Sequence, residues 1–531
     1  MKSLFIAEKP SVASEFAKAL KVSGKKYDGY IEDEDHVITW CVGHLVTMSY
    51  PEAYDAALKK WSMSSIPFIP ENFKYQIIPQ VKKQFETVKG LLTRHDVEKI
   101  YVCTDSGREG EYIYRLVDMM AKVGDKPKYR VWIDSQTEEE INRGIREARP
   151  LSDYDNLSAS AFLRAKEDYL MGINFSRVLS LKYGPVVAGA LKKDFAVISA
   201  GRVMTCVLGM VVRREREIRD FVKTTFFKVS AELEREKEEG VFDAEWKVSE
   251  ESRYFASSKL YKDVGFNKRE DAEALIKELS ENSNGTATVK NVSSKKETKN
   301  PPLLYNLAEL QNDCSRLFKI NPDETLKIAQ ELYEKKLTTY PRTDARVLSS
   351  AVAKEITKNI SGLTKFGTVS SFADEILKNK MYNGIEKTKY VNDKQITDHY
   401  AIIPTGQGAG AASGLKPLSL KVYELICRRF LSVFYPAAQY KRLTVTADIA
   451  GETFSAGIKT LEKEGYLKVT GLDKKEDLKS ENALSSIKKG ESLRIKGFEI
   501  KEGETSPPKR YTSGSMILAM ENAGKLIEDE E

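Results

Sequence analysis

Tyr340 stands among residues that could make a phenol reactive. Residues 337–346 read LTTYPRTDAR, so Pro341 follows the tyrosine directly and Arg342 lies two positions after it. The proline stiffens the backbone next to the phenol, and the arginine offers a donor fork that suits a phosphate group. A lone tyrosine is ordinarily a packing residue. Beside a phosphate-binding arginine it could also be a nucleophile that forms a phosphotyrosine intermediate, and these residues alone leave both interpretations open.

Acidic side chains follow two predicted strands in the N-terminal part of the chain. Glu8 ends the short apolar run SLFIAEK, Asp105 ends EKIYVCTDSG, and Glu109 follows in the glycine-rich turn TDSGREGE. Because ligands gather at the carboxyl ends of parallel strands, Glu8 and Asp105 could lie side by side. Carboxylates of this kind suit Mg²⁺, which takes a few of them together with waters and phosphate oxygens. The alternative is a solvated acidic turn.

Further polar residues could contact a phosphate. His399 is one of only four histidines and follows Asp398 in ITDHYAIIPTG. An Asp–His pair could orient a phosphate or shuttle a proton, although a surface histidine is the commoner case for such a motif alone. SAGRVMTCVL places Arg202 at a predicted helix start, where backbone N–H groups favour anions. GINFSR adds three side chains able to contact phosphate, namely Asn174, Ser176 and Arg177.

The elements that must position these residues follow from the hydrophobic pattern. Over residues 1–150, short apolar runs typical of strands alternate with segments whose apolar residues have helical spacing. This alternation predicts an α/β unit with a largely parallel sheet. Strand-like stretches then flank a helical block, so we expect a β-rich domain with a helical domain inserted into it. The predicted domains are 1–150, α/β; 151–218 with 465–531, helical; 219–297 with 406–464, β-rich; and 298–405, helical and carrying Tyr340.

Composition narrows the classes of function. A chain of 531 residues should hold several domains, and a net charge of +6 is compatible with a nucleic-acid partner. The five cysteines are scattered without a CxxC pair, which argues against a zinc ribbon or a disulfide framework and predicts reduced thiols in the cytosol. No phosphate-binding loop of the GxxxxGK[ST] type occurs, so an ATP-driven motor is not expected. No apolar run is long enough to predict a membrane span.

Taken together, the motifs resemble those of type IA DNA topoisomerases, most closely the bacterial topoisomerase III group. The matching segments occur in the family order and are AEKPSVA, TDSGREGE, GINFSR, SAGRVMT, PPLLYNLAELQ, KLTTYPRTDAR and DHYAIIPTG. They extend from the N-terminus to the final segment PPKRYTSGSMILAMENAGKLIEDEE. Any one of these motifs is weak evidence, whereas the ordered series is specific.

The resemblance implies a toroidal enzyme with an N-terminal Toprim domain. It implies cleavage of one DNA strand through a 5′-phosphotyrosyl intermediate, passage of a strand and religation, without ATP. The β-rich domain would act as a hinge. Single-stranded regions of DNA would be the main partner, and a helicase is left open as a second one. We expect a monomer in the cytoplasm, associated with the nucleoid and not with a membrane.

The resemblance also implies a role for each site residue. Tyr340 would be the nucleophile, and Arg342 would position the phosphate. Lys9 would stabilise the transition state or the leaving oxygen, and His399 would contact the phosphate. The residues implied for Mg²⁺ are Glu8, Asp105 and Glu109, of which Glu8 would also be catalytic. The residues implied for single-stranded DNA are Asn174, Ser176, Arg177 and Arg202.

Three departures from the family pattern qualify this expectation. Gly107 replaces the middle acid of the Toprim triplet, which predicts weaker metal binding, and Met204 replaces a glutamine. The chain also ends at Glu531, before a family segment that completes the domain holding the strand. An alternative is therefore a truncated relative that only binds or cleaves single-stranded DNA, without a full relaxation cycle. A Toprim nuclease or primase is a further class, but neither explains YPRTD.

Overall fold

The computed structural model describes residues 1–235, 240–262, 264–397, 399–407, 409–471, 484 and 486–523. The chain divides into two compact units. The first consists of Met1–Val212, Leu304–Cys427 and Tyr511–Glu531, and the second of Arg213–Leu303 and Arg428–Arg510. The residues singled out above for chemistry all belong to the first unit.

Two sheets contain the strands of the first unit. The strands are β1 (Lys2–Ala7), β2 (Lys25–Tyr27), β3 (Tyr30–Glu32), β4 (His36–Trp40), β5 (Val46–Met48), β6 (Tyr75–Ile77), β7 (Val97–Cys103), β8 (Lys128–Arg130) and β9 (Arg149–Pro150). The larger sheet has the order β2-β3-β4-β1-β7-β8-β9, and β5 pairs with β6 separately. Its central strands β4, β1, β7 and β8 are parallel, whereas the edge strands are antiparallel.

Helices surround this sheet and form most of the remaining first unit. They are α1 (Pro10–Ala19), α2 (Lys82–Leu92), α3 (Arg108–Ala121), α4 (Glu138–Arg146), α5 (Asp155–Leu191), α6 (Arg202–Arg219), α7 (Arg269–Asn282), α8 (Leu307–Phe318), α9 (Pro322–Glu334), α10 (Ser350–Leu363), α11 (Ser370–Lys378), α12 (Ala409–Ala412), α13 (Pro417–Ser432), α14 (Leu467–Thr470) and α15 (Ser513–Glu521). Of these, α7 and α14 belong to the second unit, and the chain passes between units within α6 and α13. No described helix combines the length and hydropathy of a membrane span.

The large sheet is buried on both faces, as a parallel sheet requires. Leu4 and Ile6 of β1 belong to one hydrophobic core, and Phe5 and Ala7 belong to another on the opposite face. Because β1 pairs with β7 so that Ala7 lies opposite Cys103, the two strands end at the same edge. This confirms the predicted α/β unit with a largely parallel sheet, and it places the residues that follow β1 and β7 together.

The second unit is built on antiparallel strands. They are β10 (Thr225–Arg235), β11 (Val241–Lys247), β12 (Leu260–Tyr261), β13 (Gly265–Phe266), β14 (Thr286–Lys299), β15 (Ala438–Ile449), β16 (Glu452–Lys463) and β17 (Ser492–Glu504). The order is β11-β16-β15-β14-β17-β10-β13-β12, and β10 also pairs with β11, so six of the strands close into a ring.

Two secondary-structure expectations were wrong. Helix α13 (Pro417–Ser432) lies inside the range 406–464, which we predicted to be β-rich. Strand β17 lies inside the range 465–531, which we predicted to be helical. Its buried Leu493 and half-buried Ile495 alternate with more exposed residues, and this two-residue period lets the segment pair with β10 along nearly its whole length. The four-domain division itself stays a prediction.

A buried ion pair holds the carboxyl edge of the large sheet together. The Arg130 side chain, at the end of β8, is fully buried, and its Nε donates to Glu111 Oε2 at 3.0 Å. Its Nη1 donates to Thr104 O at 2.7 Å, and its Nη2 donates to Asp105 O at 2.6 Å. Glu111 also accepts from Arg115 at 2.8 Å. The last acid of TDSGREGE therefore anchors the loop that carries Asp105.

We predict that Glu111→Gln destabilises the first unit by about 3–5 kcal/mol, because it leaves the Arg130 charge buried without compensation. The control Glu147→Gln removes an exposed partner of Arg143 and should cost at most about 1 kcal/mol. Thermal and urea unfolding of the full chain measure both. Equal stability of the two variants would contradict the anchoring role of Glu111.

Candidate active site

Tyr340 lies against the carboxyl edge of the large sheet. It is in the loop between α9 and α10, and only 8% of its surface is exposed. Its backbone N–H donates to Asp134 O at 3.0 Å, and its phenol O–H donates to Asp105 Oδ2 at 3.4 Å. Burial, and then the negative charge of Asp105, raise the pKa of Tyr340 well above its usual range. The structure thus brings the tyrosine and one predicted metal ligand into contact.

The Tyr340 loop is fixed by a second segment of the chain, residues 399–404. Thr339 N–H donates to Ile403 O, and Thr339 Oγ1 donates to Ala401 O, both at 3.0 Å. Thr343 Oγ1 donates to His399 O at 2.9 Å. The polar residues around the tyrosine are therefore structural, and they bring the motifs TTYPRT and HYAIIPT side by side.

His399 is buried between the tyrosine and the sheet edge. Its ring centroid is 4.5 Å from that of Tyr340. Its Nδ1 lies 2.6 Å from Asp134 Oδ1, and its Nε2 lies 2.5 Å from Ser106 O. Both ring nitrogens are therefore engaged, which fixes the orientation of the imidazole.

The Asp–His pair has a different carboxylate from the one considered in the sequence. Asp398 lies outside the described residues, whereas Asp134 pairs with His399 across 265 residues of chain. Asp134 follows β8 at the same carboxyl edge as Glu8 and Asp105. The tendency of ligands to gather at the carboxyl ends of parallel strands could therefore have indicated it. Because β8 is short and no motif marks its end, Asp134 is less prominent in the sequence than Glu8 or Asp105.

Glu8 and Asp105 meet at the ends of neighbouring strands, as expected. Glu8 Oε2 accepts from Asp105 N at 3.2 Å, and Glu8 is only 5% exposed. Burial, and then the charge of Asp105, raise the pKa of Glu8 to about 7. Burial also raises the pKa of Asp105. Two carboxylates therefore share a desolvated site with incomplete neutralisation, which is an environment that favours a cation.

Two cations lie near this carboxylate pair. The charges of Lys9 and Arg342 both lower the pKa values of Glu8 and Asp105, in opposition to burial. Lys9 Nζ is 3.8 Å from a carboxylate oxygen of Glu334. Arg342 is exposed and forms no ion pair with any residue that the structure describes. Its guanidinium is available to an anionic ligand at this edge.

Glu109, the third predicted metal ligand, pairs with His44. Its Oε1 lies 2.7 Å from His44 Nε2, and its side chain is 64% exposed. The hydrogen bond from His44 lowers the pKa of Glu109. His44 follows β4, the parallel neighbour of β1, so the same tendency of ligands to gather at strand ends could have indicated it.

The oxygen donors at this edge fit a divalent cation. Among the described residues no group of three or more His, Cys, Asp or Glu side chains is arranged to hold a metal. Glu8 and Asp105 supply two carboxylates, and Mg²⁺ commonly takes only one or two, with waters and substrate phosphates as its other ligands.

The four predicted DNA-contacting residues lie on or next to α5. Asn174 Oδ1 accepts from Phe68 N at 2.6 Å, and Ser176 Oγ accepts from Ala200 N at 2.9 Å. Arg177 is buried, and its Nη2 donates to Leu58 O at 3.1 Å. These three side chains therefore support neighbouring backbone segments.

Arg202 differs from these three because it is exposed. Its guanidinium makes two hydrogen bonds to Asp168, with Nη2 at 2.9 Å from Oδ2. None of the four residues pairs with the residues around Tyr340 in the described part of the chain. Their contact with DNA stays a prediction.

Comparison with known proteins agrees with this arrangement. The sequence profile of the Toprim domain, a metal-binding fold, matches residues 3–135. The profile described as "DNA topoisomerase" matches residues 152–524. Together they cover both the carboxylate edge and the segment that carries Tyr340.

Individual relatives extend the similarity over the whole chain. DNA topoisomerase 3 of Bacillus subtilis (strain 168) is 35% identical over 540 residues, which is 100% of this chain and 68% of the relative. DNA topoisomerase 3 of Bacillus cereus is 35% identical over 533 residues, with 99% and 68% coverage. The structure of full-length topoisomerase I from Thermotoga maritima superimposes with a TM-score of 0.65 at 20% identity, covering 98% of this chain and 75% of that one. The alternative of a protein that only binds or cleaves single-stranded DNA is not favoured. The chain belongs to the type IA DNA topoisomerase family and is a strand-cleaving isomerase that acts on DNA.

Proposed function

We propose that this topoisomerase cleaves DNA by attack of the Tyr340 phenol oxygen on a phosphodiester. The observation that carries the proposal is that Tyr340, Glu8, Asp105 and His399 converge at one edge of the Toprim sheet. The new bond joins the phenol oxygen to the phosphorus, and the bond from phosphorus to the 3′ oxygen breaks. The protein then carries a 5′ phosphate on Tyr340, and the other end of the strand is a 3′ hydroxyl. Since one phosphoester replaces another, religation needs no ATP.

Two protons must move in this step. Asp105 Oδ2 faces the Tyr340 hydroxyl at 3.4 Å and is the group in place to accept its proton. Glu8, with its pKa raised to about 7, holds a proton in a substantial fraction of molecules at neutral pH. It is therefore suited to donate to the departing 3′ oxygen and to take the proton back during religation.

The phosphoryl group gains negative charge as the phenol attacks. Arg342 is exposed near the carboxylate pair, and Lys9 lies on the same edge. His399 lies next to the tyrosine ring, and we expect it to contact the phosphate as well. Positive groups that are fixed before the reaction lower the energy of such a charged state.

We propose Mg²⁺ as the cation of this Toprim site. Glu8 and Asp105 would hold it, and Glu109 would join them on release from His44. When bound, the ion would supply positive charge to phosphate oxygens and to this carboxylate pair. Glu8 cannot hold a proton and bind the metal at the same time. We therefore expect strand cleavage to need little Mg²⁺, and religation with strand passage to need more.

Several polar contacts join the segment that carries Tyr340, residues 298–405, to the Toprim domain. Besides the bonds to Asp134, Lys336 lies 2.5 Å from Glu15 and Lys358 lies 2.9 Å from Glu139. Polar contacts of this kind exchange readily for contacts with water, unlike a large apolar interface. This supports separation of the segment from the Toprim domain during strand passage, with Tyr340 carrying the 5′ end.

The narrower expectations about partners rest on the family resemblance. We infer that single-stranded regions are the preferred DNA substrate. The residues inferred to contact the single strand are Asn174, Ser176, Arg177 and Arg202. A helicase partner, a monomeric state and a location with the nucleoid are inferred in the same way. The four-domain division is proposed with the boundaries given above.

We predict that Tyr340→Phe abolishes the covalent protein–DNA adduct while binding of single-stranded DNA survives, because only the nucleophilic oxygen is lost. Tyr333→Phe is the matched control, since the Tyr333 ring packs edge-on against Tyr340 at 5.4 Å. Labelled oligonucleotide is incubated with each protein, quenched with denaturant and separated on a gel. An adduct that persists in Tyr340→Phe would remove Tyr340 from this role.

We predict that Asp134→Asn slows adduct formation by about 10- to 100-fold, because a hydrogen bond to a charged group contributes about 1.5–3 kcal/mol. If Asp134 acts by orienting His399, the double variant Asp134→Asn/His399→Ala should be no slower than His399→Ala. Asp125→Asn, an exposed carboxylate of the same domain, is the control. Additive losses in the double variant would show that Asp134 acts independently of His399.

We predict that Gly107→Asp strengthens Mg²⁺ binding by about tenfold, because it adds a carboxylate oxygen donor to the site. A Cβ on Gly107 meets nothing within 4 Å, and its φ of 171° is extended backbone that any residue adopts. Calorimetric titration of the DNA-free protein with Mg²⁺ measures the change. Gly90→Asp, also without a Cβ clash, adds the same charge on α2. An equal gain in both variants would mean that net charge, and not a ligand, is responsible.

A further inference from the structure

A cavity of about 650 Å³ opens beside His399 and is not used by the proposed chemistry. It is lined by Trp132, Arg143, Arg149, Tyr154, Leu157 and Thr397, among others. Thr397 lies two residues before His399, and Trp132 lies two residues before Asp134. The cavity therefore adjoins the His399–Asp134 pair. Its volume is within the range of small-molecule binding sites.

Aromatic rings connect the nucleophile to this cavity. The Tyr340 and His399 centroids are 4.5 Å apart. The His399 and Trp132 centroids are 6.2 Å apart with the ring planes 14° from parallel. Trp132 and Tyr154 follow at 5.4 Å, again at 14°. The buried Arg130 guanidinium lies 5.3 Å from the Trp132 ring and supports it from the sheet. The aromatic rings at the cavity thus form a continuous series of contacts that leads to His399 and Tyr340.

The charged residues that line the cavity are Arg143, Glu147 and Arg149, and of these only Arg149 has no ion pair within the described ranges. Arg143 is held by two carboxylates, Glu140 and Glu147, each at 2.6 Å. Arg149, on the edge strand β9, is exposed and has no ion pair with any residue in the described ranges. Its guanidinium is therefore free to take a phosphate. Flat rings beside an unpaired cation are the combination with which proteins bind single-stranded nucleic acid.

We propose that this cavity binds a nucleobase of the cleaved strand, close to the scissile phosphate. The base stacks on the Trp132–Tyr154 wall, and Arg149 contacts a neighbouring phosphate of the same strand. Most lining residues belong to the Toprim domain or to the start of α5, so the nucleotide stays there when the Tyr340 segment moves away. This inference rests on the proposed roles of Tyr340 and His399, and it adds a base-dependent positioning step to them.

The test is a scan with single abasic sites in a single-stranded oligonucleotide. Each abasic site occupies one position within about three nucleotides of the mapped cleavage position. For the unaltered protein, one position should lower adduct formation by about 5- to 100-fold, the loss expected when one stacked base is removed. In Tyr154→Leu that position should lose its penalty, while adduct formation with the intact oligonucleotide falls by a similar factor. Tyr27→Leu, in a stacked tyrosine pair on β2 and β3, should keep the parent profile.

Arg149→Gln gives a second, independent readout at an exposed position. In a Tyr340→Phe background it should reduce the slope of log affinity against log salt by about one, as expected for loss of one phosphate contact. Lys25→Gln, an exposed cation on β2, should leave the slope unchanged. These binding measurements hold even if Tyr154→Leu folds poorly.

The outcomes separate this inference from the proposed function. If the unaltered protein forms no adduct through Tyr340, the proposed function fails. If the adduct forms but the abasic profile of Tyr154→Leu matches that of the parent, and Arg149→Gln keeps the parent salt slope, the cavity does not hold a base. The inference is supported if the loss of adduct formation at one abasic position disappears in Tyr154→Leu but remains in the unaltered protein and in Tyr27→Leu. That position identifies the nucleotide concerned.

Discussion

The geometry of the active site depends on one buried guanidinium. Arg130 donates to Glu111, to the carbonyl oxygens of Thr104 and Asp105, and it also supports the Trp132 ring. These bonds fix the ends of β7 and β8, which Asp105 and Asp134 follow. A buried charge tolerates little displacement, because every lost partner leaves a desolvated group unpaired. The sheet edge is therefore a rigid platform against which the tyrosine segment can close.

The platform carries like charges that the protein alone does not balance. Glu8 and Asp105 are adjacent and desolvated, and burial raises the pKa of each. Tyr340 is packed against the same carboxylates, which disfavour its ionised form. The site is thus poorly stabilised by itself and favours the arrival of positive charge or of protons. Lys9 and Arg342 meet part of that need, because their charges lower the pKa values of both carboxylates.

Closure of the site rests on contacts of moderate strength. The Tyr340 segment reaches the Toprim domain through single hydrogen bonds and ion pairs, such as those of Asp134, Glu15 and Glu139. The Lys358–Glu139 pair is exposed and contributes little, since water and salt compete for it. The Lys336–Glu15 pair is half-buried. His399 is the exception, because both of its ring nitrogens are engaged in a buried position. One buried contact together with more exposed ones is compatible with the separation that we propose for strand passage.

The sequence by itself determined the parallel sheet, the meeting of Glu8 with Asp105, and Tyr340 as the candidate nucleophile. These follow from local rules, since strand ends in a parallel sheet share an edge and a motif keeps its residues adjacent. Only the tertiary structure decided that His399 pairs with Asp134, that Glu109 turns to His44, and that Trp132 and Tyr154 line a cavity. It also assigned β17 to the antiparallel sheet, against our expectation of helix. Glu109 and His44 are separated by 65 residues of chain, and His399 and Asp134 by 265. Which side chains meet across such a separation depends on strand register and on how loops pack, and neither is encoded in any short stretch of residues.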